Sequence, residues 1–422
     1  MRILICTNSY PPRFVGGAEL VAHHLAVAMA AQGHEVVAFV GDPDEIADQR
    51  IPTRDTYEGI QVYRLARRRA DYDPGRLNYI DHEVDAHFEA LCAEFSPEVV
   101  HCHNLTGLST NLPEIAFRSG ARVFMTLHDF WGFCPRNTLT ISDHSPCRDR
   151  KACDSCVPKL DEARPPIEVR RQQLANMADH VERFMAPSRF VFDRYVEAGW
   201  PVARMCVVPN GVDTAQFEAI LPPPRRSYTA DAPLRMVFVG YFGAHKGVQL
   251  LPEVVARMRN RDRVVLDLVG EGPLASHLRT EILRLNLDGL IRFRGKFEPG
   301  AMAKVYAEAD VVVVPSTWPE NQPVCIMEAK ASARAVVASN IGGIPDIVRN
   351  GEDGILVRSG DVKAFADAID YLADHPNACA ELGENGRRGV SGLTYLAQSR
   401  TIIDLFKSTP SNDRHQNHTS RV

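Results

Sequence analysis

Short apolar runs alternate along this chain with longer segments of helical periodicity, a pattern that predicts an α/β protein. Residues 2–7 form one such run, a loop rich in proline and glycine follows, and apolar side chains then recur at helical spacing from residue 18 to residue 29. Gly33 suits the end of that helix because glycine tolerates a positive φ, and residues 35–40 return to a strand pattern. The first 40 residues therefore predict a strand–helix–strand unit.

Two sets of strands are predicted, one on either side of a proline-rich segment. The first set continues at residues 99–102, 123–127, 184–186 and 206–208. The second set comprises residues 235–240, 264–270, 291–295, 311–314, 335–338 and 354–357. The four valines at 311–314 are typical of a central parallel strand that is covered on both faces.

These patterns predict two domains that are joined by a linker. The predicted segments are a first domain over 1–213, a linker over 214–233, a second domain over 234–391, a helix over 392–407 and a disordered tail over 408–422. Packing of the helix over 392–407 back onto the first domain is one arrangement that this order allows.

The composition narrows the class of protein. The chain of 422 residues is long enough for two cores, and no apolar run approaches the ~20 residues of a membrane-spanning helix. No leader precedes the strand at residue 2, so a cytoplasmic protein is expected. The net charge of -5 gives no general attraction to nucleic acid. Arg64, Arg67, Arg68 and Arg69 form a basic run, which is either a solvated face or a patch for an anionic acceptor or the inner face of a membrane.

The most specific pattern follows the four-valine strand directly, where Glu320 and Glu328 lie in the segment 315–329. Ligands of an open parallel sheet bind beyond the carboxyl ends of its strands, so a ligand is expected here. A carboxylate can accept two hydrogen bonds from neighbouring hydroxyls, although two solvated helix glutamates are the alternative interpretation. A proline in this segment suits the first turn of a helix, whose free amides would bind a diphosphate. The candidate contacts at this helix start are Asn321, Gln322, Pro323 and Val324.

Further motifs occur in a specific order. They are residues 9–12 (SYPP), 16–19 (GGAE), 33–36 (GHEV), 126–129 (TLHD), 209–213 (PNGVD), 246–247 (KG), 269–273 (VGEGP) and 342–346 (GGIPD). Together with the Glu, seven residues and Glu of 320–328, they resemble the family-4 retaining glycosyltransferases over most of the chain. The resemblance implies a GT-B fold, in which two Rossmann-like domains with mostly parallel sheets face each other across a cleft. It also implies a nucleoside-diphosphate sugar as donor, no catalytic metal or other required cofactor, and retention at the anomeric carbon.

The resemblance also implies a role for individual residues in the donor site. Glu320 would hold hydroxyls of the donor sugar, and Glu328 would hold the ribose. Lys246 would neutralise the departing diphosphate, whose charge grows in the transition state. Gly16 and Gly17 would let the backbone approach the diphosphate at the start of the first helix. An exposed lysine and an ordinary strand-to-helix turn are the structural alternatives for these last two assignments.

Two further positions bear on activity. His128, at the end of a predicted strand, resembles the active-site histidine of the family, which implies that it orients the sugar or the acceptor. Tyr241 departs from the family, which usually has an arginine immediately after Gly240. Tyrosine carries no permanent charge, so neutralisation of the phosphates would depend on Lys246 and the helix amides, with help from His245.

Four of the ten cysteines cluster in sequence, and the other six are scattered among apolar residues. The last two of the four are separated by two residues, which is the spacing of a thiolate knuckle that binds zinc. A structural zinc site, a redox-labile cross-link and a loop of free thiols are the interpretations that this spacing allows. The four residues are Cys134, Cys147, Cys153 and Cys156.

The function that these patterns predict is transfer of a hexose-type sugar to a glycan or a lipid-linked acceptor, in the synthesis of cell-surface polysaccharide. A nucleotide-sugar epimerase is an alternative, but it needs proton-transferring carboxylates that cannot be assigned here. A sugar-binding protein without catalysis is a second alternative, which Tyr241 favours. A dinucleotide dehydrogenase is disfavoured because the first loop lacks the Gly-x-Gly-x-x-Gly spacing.

Overall fold

Two β-sheets, one in each half of the chain, organise the structure. The computed structural model describes residues 1–13, 16–42, 51–66, 80–141, 147, 153–156 and 167–408. The amino-terminal lobe contains β1 (Arg2–Thr7), α1 (Gly17–Ala30), β2 (Glu35–Asp42), β3 (Pro52–Tyr57), β4 (Ile60–Ala66), α2 (His82–Phe95), β5 (Val99–Cys102), α3 (Leu112–Arg118), β6 (Arg122–Thr126), α4 (Cys153–Cys156), α5 (Ile167–Asp179), β7 (Arg183–Ala186), α6 (Arg189–Glu197) and β8 (Met205–Val207).

The remaining elements belong to the second half of the chain. They are α7 (Thr214–Phe217), β9 (Leu234–Val239), α8 (Leu251–Arg257), β10 (Val264–Val269), α9 (Ala275–Arg284), β11 (Ile291–Gly295), α10 (Met302–Ala307), β12 (Val311–Val314), α11 (Val324–Ala331), β13 (Ala335–Ser339), β14 (Ile355–Val357), α12 (Val362–Asp374), α13 (Pro376–Val390) and α14 (Tyr395–Lys407). The predicted α/β class is confirmed.

Both sheets reverse their strand order at one point, and these points locate the functional cleft. The first sheet has the order β3-β4-β2-β1-β5-β6-β7-β8, and the second has the order β11-β10-β9-β12-β13-β14. All neighbouring strands are parallel except β3 and β4. In each sheet the chain starts in the middle, builds outwards and then returns to the other side, so a crevice opens at β1/β5 and at β9/β12.

Strand residues alternate between the two faces of each sheet, and both faces are covered. In β1, Leu4 packs into one apolar cluster of the first lobe and Ile5 into the cluster on the opposite face. In β12, Val311 and Val312 likewise belong to different clusters. A strand that is buried on both faces must be apolar at every position, which explains the four consecutive valines.

The chain crosses between the lobes twice, and the two crossings run side by side. The backbone amide of Val212 donates to the carbonyl of Leu393 at 2.8 Å. Beyond the second crossing, α14 packs against α1 and buries Ile402 and Phe406 in the apolar cluster of the first lobe. The segment predicted as a linker includes the short helix α7, and Tyr228 within it is buried. The exact domain boundaries stay a prediction.

The basic run is not a uniform solvated face, because Arg64 is completely buried. Its guanidinium donates to the carbonyls of Tyr10 and Pro11 at 3.0 and 2.6 Å and to the Asp55 carboxylate at 2.7 Å. The other three arginines of the run lie outside the described residues, as does the tail predicted over 408–422 except for Ser408, which caps the last helix. Neither β3 nor β4 was predicted: β3 is polar and mostly exposed, and the buried strand β4 includes the polar residues Gln61 and Arg64. Within the described ranges, no helix combines the length and apolar content that crossing a bilayer requires.

The packing of α14 on the first lobe can be tested with a matched pair of substitutions. Ile402 is fully buried, whereas Leu396 on the same helix is 40% exposed. We expect Ile402→Ala to lower the free energy of unfolding by about 2–5 kcal/mol through the cavity that it leaves. Leu396→Ala should change it by only about 0.5 kcal/mol. Urea denaturation measures both, and equal effects would show that α14 does not dock through this face.

Candidate active site

Lys246 and Glu320 meet at the crevice between β9 and β12. The ammonium Nζ of Lys246 lies 2.8 Å from Oε1 of Glu320, although 74 residues separate them in the chain. Gly247, with φ of +71°, allows the close approach: a Cβ there would lie 1.9 Å from the carbonyl oxygen of Pro315. Because residue 247 has no side chain, the loops that follow the neighbouring strands β9 and β12 can approach backbone to backbone at this point.

Glu320 is buried and is held as a carboxylate by its neighbours. The hydroxyl of Ser316 donates to Oε1 of Glu320 at 2.7 Å, beside the bond from Lys246. Burial by itself raises the pKa of Glu320, but the charge of Lys246 and these hydrogen bonds outweigh burial, and the net pKa is below its usual value. The ring of Trp318 lies 5.0 Å from the Lys246 ammonium and covers it on one side.

The loop that follows β13 braces the backbone of Glu320. The amide of Gly343 donates to the Glu320 carbonyl at 2.6 Å. Gly342 has φ of +60°, and a Cβ at that position would lie 2.3 Å from the same carbonyl oxygen. A glycine at 342 is therefore required both by the backbone conformation and by the contact.

Helix α11 points its amino terminus into the same crevice. Pro323 directly precedes the helix, one position earlier than a first-turn proline, and Val324 is its first residue. Glu328 lies one turn further along and accepts a hydrogen bond of 2.8 Å from the hydroxyl of the buried Tyr306. Burial raises the pKa of the Glu328 carboxyl to about 7, and the Tyr306 hydrogen bond opposes the rise.

The first lobe contacts this helix start directly. Helix α1 begins at Gly17, and a Cβ on Gly17 would lie 2.9 Å from a methyl carbon of Val324. The amide of Gly16 donates to the Glu19 carboxylate at 3.0 Å, which closes the start of α1. Backbone from the first lobe and the amino terminus of α11 therefore face each other across the cleft.

Three polar contacts join the lobes beside the candidate residues. The side-chain amide of Asn321 donates to the carbonyl of His128. The side-chain oxygen of Gln322 accepts from the amide of Asn210 at 2.6 Å, so this side chain links the lobes. The carboxylate of Asp346 accepts from the amide of Phe190 at 3.0 Å, at the amino terminus of α6.

His128 itself lies among polar side chains at the carboxyl ends of β5 and β6. Its Nε2 is 2.7 Å from Nδ1 of the buried His103. Next to it, Asp129 accepts hydrogen bonds from the Trp131 amide at 2.7 Å and the Asn104 side chain at 2.9 Å. Burial lowers the pKa of His128 to about 4 and raises the pKa of Asp129 to about 7.

The structure thus brings most of the predicted residues to one cleft, with Gly16, Gly17 and His128 in the first lobe and the others in the second. It adds His103 and Tyr306, which lie outside the motifs, and it gives a contact to Asp346, whose motif at 342–346 was recognised without a role for this residue. The first could have been found, since His103 directly follows a predicted strand next to a second histidine, His101. Tyr306 carries no such signal, because an aromatic residue in a helix is usually part of the core.

Comparisons with known proteins agree with this geometry. A family model described as Glycosyltransferase Family 4 matches residues 15–216, and one described as Glycosyl transferases group 1 matches residues 233–375. The chain belongs to the family-4 glycosyltransferases and has the GT-B fold. A glycogen synthase of Mycobacterium tuberculosis is 25% identical over 400 residues, which are 92% of this chain and 90% of that protein. A D-inositol 3-phosphate glycosyltransferase of Corynebacterium glutamicum is 31% identical over 194 residues, 44% of this chain and 46% of that protein.

Solved structures support the same fold. HepE of Anabaena in complex with UDP-glucose has a TM-score of 0.71 at 18% identity, with 97% of this chain and 100% of that chain covered. Sucrose-phosphate synthase of Thermosynechococcus elongatus has a TM-score of 0.70 at 20% identity, with 96% and 98% covered. At these identities the likeness concerns the fold of the glycosyltransferase rather than its substrates.

The four clustered cysteines are free thiols in this structure. Among the residues that the structure describes, which include all four cysteines, no three His, Cys, Asp or Glu side chains come together as a metal-binding group. The last pair, Cys153 and Cys156, lies on the helical turn α4, and the structural zinc site stays a prediction. Tyr241, at the family's arginine position, is 51% exposed, with its ring 6.2 Å from that of His245.

The support of Glu320 by the Gly342 loop can be tested by adding a single methyl group. Gly342→Ala must displace the Glu320 backbone, and we expect sugar transfer to fall by about 100-fold or more. Gly351→Ala is the matched control, because Gly351 also has a positive φ (+78°) but no atom within 4 Å of the added Cβ. The control should lose about 1–2 kcal/mol of stability and keep its activity. A Gly342→Ala protein as active as the control would contradict this role of the loop.

Proposed function

We propose that this chain moves a hexose-type sugar from a nucleoside-diphosphate donor to a hydroxyl of a glycan or lipid-linked acceptor, with retention at the anomeric carbon. The product is a cell-surface polysaccharide or its precursor. The observation that carries the proposal is the contact between Lys246 and Glu320 beside the amino terminus of α11. A cation, a helix terminus and a carboxylate within one crevice suit the diphosphate and the sugar of one ligand.

The donor spans these groups in a single orientation. Its diphosphate lies at the start of α11 next to Lys246, and the backbone at Gly16 and Gly17 closes over it from the first lobe. Glu320 accepts hydrogen bonds from the sugar hydroxyls, and Glu328 accepts them from the ribose. Residues Asn321 to Val324 provide the backbone of the helix start. The UDP-glucose complex of HepE, whose fold is similar over 97% of this chain, supports a donor in this cleft.

Retention requires that the acceptor hydroxyl attacks the anomeric carbon on the face from which the diphosphate departs. Lys246 and the α11 amides stabilise the negative charge that develops as the sugar–phosphate bond breaks. A phosphate oxygen on the face that the acceptor attacks takes the acceptor proton, so no enzymic nucleophile is needed. This chemistry needs no metal ion, because the lysine and the helix terminus supply the positive charge.

His128 orients the sugar or the acceptor rather than abstracting a proton. Burial lowers its pKa to about 4, so the ring is neutral near pH 7. A weakly basic imidazole is a poor general base, but it is a good hydrogen-bonding group for a hydroxyl.

The acceptor and the location of the protein follow from the same family resemblance. A lipid-linked acceptor would place the transferase in the cytoplasm at the inner face of a membrane. The basic residues that follow Arg64 would then contribute peripheral contact with anionic lipid.

Tyr241 favours a second candidate function, nucleotide-sugar binding without catalysis. Its phenol supplies no charge where the family usually has arginine, so one source of phosphate stabilisation is absent at this position. A binding protein would retain the donor without releasing a nucleotide. An epimerase gains no specific support from the structure.

Isosteric substitutions of the two glutamates test the proposed function. We expect Glu328→Gln to weaken donor affinity by about 10- to 100-fold, because it removes charge-assisted hydrogen bonds to the ribose. Glu320→Gln should mainly lower kcat. Donor affinity is measured by calorimetry with UDP-, GDP- and ADP-sugars, and transfer by nucleotide release and by NMR of the anomeric configuration of the product.

Glu253→Gln on the exposed face of α8 is the control and should behave as wild type. Tight donor binding without nucleotide release would favour the binding protein over the transferase. Equal losses of affinity in both active-site variants would contradict the separate roles of Glu320 and Glu328, and an inverted product would contradict retention.

The raised pKa of Glu328 predicts that donor binding depends on pH. The carboxylate form is the better acceptor for ribose hydroxyls, and a pKa of about 7 means that it forms as pH rises from 6 to 8. Donor affinity should therefore increase by roughly tenfold over this range. Tyr306→Phe removes the hydrogen bond that lowers this pKa, so the midpoint should move to higher pH. Glu328→Gln is the control, and a pH dependence that survives in it would assign the effect to another group.

A further inference from the structure

Three histidine rings lie one against the next behind the cleft of the first lobe, with His103 stacked on His128 and tilted by 43° against His101; this group is called the histidine stack. The ring centroids of His101 and His103 are 4.2 Å apart, and those of His103 and His128 are 5.0 Å apart with nearly parallel planes. The stack arises from the register of the sheet. Strands β5 and β6 are parallel neighbours with Cys102 opposite Met125, so the residues after their carboxyl ends lie side by side.

Hydrogen bonds fix the order of this stack. Nε2 of His101 lies 2.8 Å from the hydroxyl of Thr126, and Nδ1 of His103 lies 2.7 Å from Nε2 of His128. One ring nitrogen of His128 is therefore occupied by His103. Within the described part of the chain no residue forms a hydrogen bond with its other nitrogen, Nδ1, which leaves that atom for a bound ligand.

The bond between His103 and His128 holds a single proton. Burial, reinforced for His101 and His103 by neighbouring histidines, lowers the pKa of each ring, to about 3 for His101, well below the usual value for His103 and to about 4 for His128. All three rings are neutral near pH 7, and a neutral imidazole has one N–H donor and one acceptor. One of the two bonded nitrogens must donate, and the other must accept.

The surroundings of His103 decide which ring donates. Its Nε2 is buried and has no partner among the described residues. A proton on Nε2 would be a buried donor without an acceptor, which is rarer in folded proteins than a buried acceptor without a donor. A proton on Nδ1 is instead used in the bond to His128. This penalty outweighs the modest preference of free histidine for a proton on Nε2. His103 is then the donor, and the proton of His128 is on Nδ1.

We propose that His103 is a positioning residue that fixes His128 in the Nδ1–H tautomer, so that His128 presents one hydrogen-bond donor to an oxygen of the bound sugar or acceptor. The part about sugar depends on the function proposed above, but the tautomer does not. Asn321 of the donor site also donates to the backbone carbonyl of His128. The backbone and the ring of His128 are therefore both held by other residues of the protein.

Ring-nitrogen NMR of protein labelled with ¹⁵N-histidine tests the tautomer without substrate. The signals of His128 are assigned by their loss in His128→Gln. We expect Nδ1 of His128 to carry the proton in the wild type. His103→Asn should retain this state, because the asparagine amide places a donor near the position of Nδ1. His103→Leu should convert His128 to a mixture of tautomers.

Kinetics with the same variants tests the role in transfer. His103→Leu should lower kcat by about 10- to 100-fold, since the N–H of His128 that donates to the ligand is no longer held in place. The affinity for the nucleoside-diphosphate sugar should stay within about twofold. His103→Asn should recover most of the rate. His277→Leu, at an exposed position on α9, controls for the loss of a histidine and should match the wild type.

Each outcome supports or overturns a specific part of the proposal. A proton on Nε2 of wild-type His128 overturns it, and so does a His103→Leu protein with unchanged tautomer and rate. A changed tautomer with an unchanged rate overturns the role in transfer alone. If His103→Leu does not fold, the wild-type spectrum and His103→Asn still decide. A wild-type protein that transfers no sugar would contradict the proposed function, while the spectra would still decide the tautomer.

Discussion

The ion pair between Lys246 and Glu320 is the interaction on which the cleft depends. A buried carboxylate without a partner is strongly destabilising, so Glu320 requires a cation or several hydrogen bonds where it lies. Lys246 and Ser316 supply them. Two close backbone contacts, at Gly247 and at Gly342, bring the loops together, and neither tolerates a side chain. The position of the carboxylate is thus set by the fold before any ligand binds.

Under the proposed function, this pair also prepares the site for the donor. A bound diphosphate pairs with the positive charge of Lys246 and so weakens the bond from Lys246 to Glu320. The sugar hydroxyls then replace the lysine as hydrogen-bond donors to Glu320. The charges exchange partners inside a crevice whose geometry is already fixed. Preorganisation of this kind lets electrostatic interactions favour the transition state without the cost of reorganising the site.

The two lobes are connected by polar contacts that involve the donor segment itself. Asn321 holds the carbonyl of His128, and Gln322 holds the amide of Asn210. Asp346 adds a contact at the start of α6. The segment that would bind the donor therefore also determines how the first lobe meets the second. The histidine stack extends this arrangement into the interior of the first lobe.

Sequence patterns identified most of the interior strands, because a strand that is buried on both faces leaves a continuous apolar run such as 311–314. They identified neither β3, whose polar residues are stabilised by pairing with β4 rather than by burial, nor β4, whose mostly buried run includes Gln61 and Arg64. Arg64 was assigned to a basic surface run, yet it is buried because Tyr10, Pro11 and Asp55 satisfy its donors. The cysteine spacing allowed a zinc site, a cross-link or free thiols, because spacing does not specify where Cys134 and Cys147 lie relative to α4.

By itself, the sequence determined the α/β class, most strands, the segment around Glu320 and Glu328, and the resemblance to the family, since all of these are written as local patterns or ordered motifs. Only the tertiary structure decided the pairing of Lys246 with Glu320, of Tyr306 with Glu328 and of His103 with His128. These partners come from different strands and helices. Parallel sheet register and close glycine contacts bring them together, and neither leaves a local pattern from which the partner can be inferred.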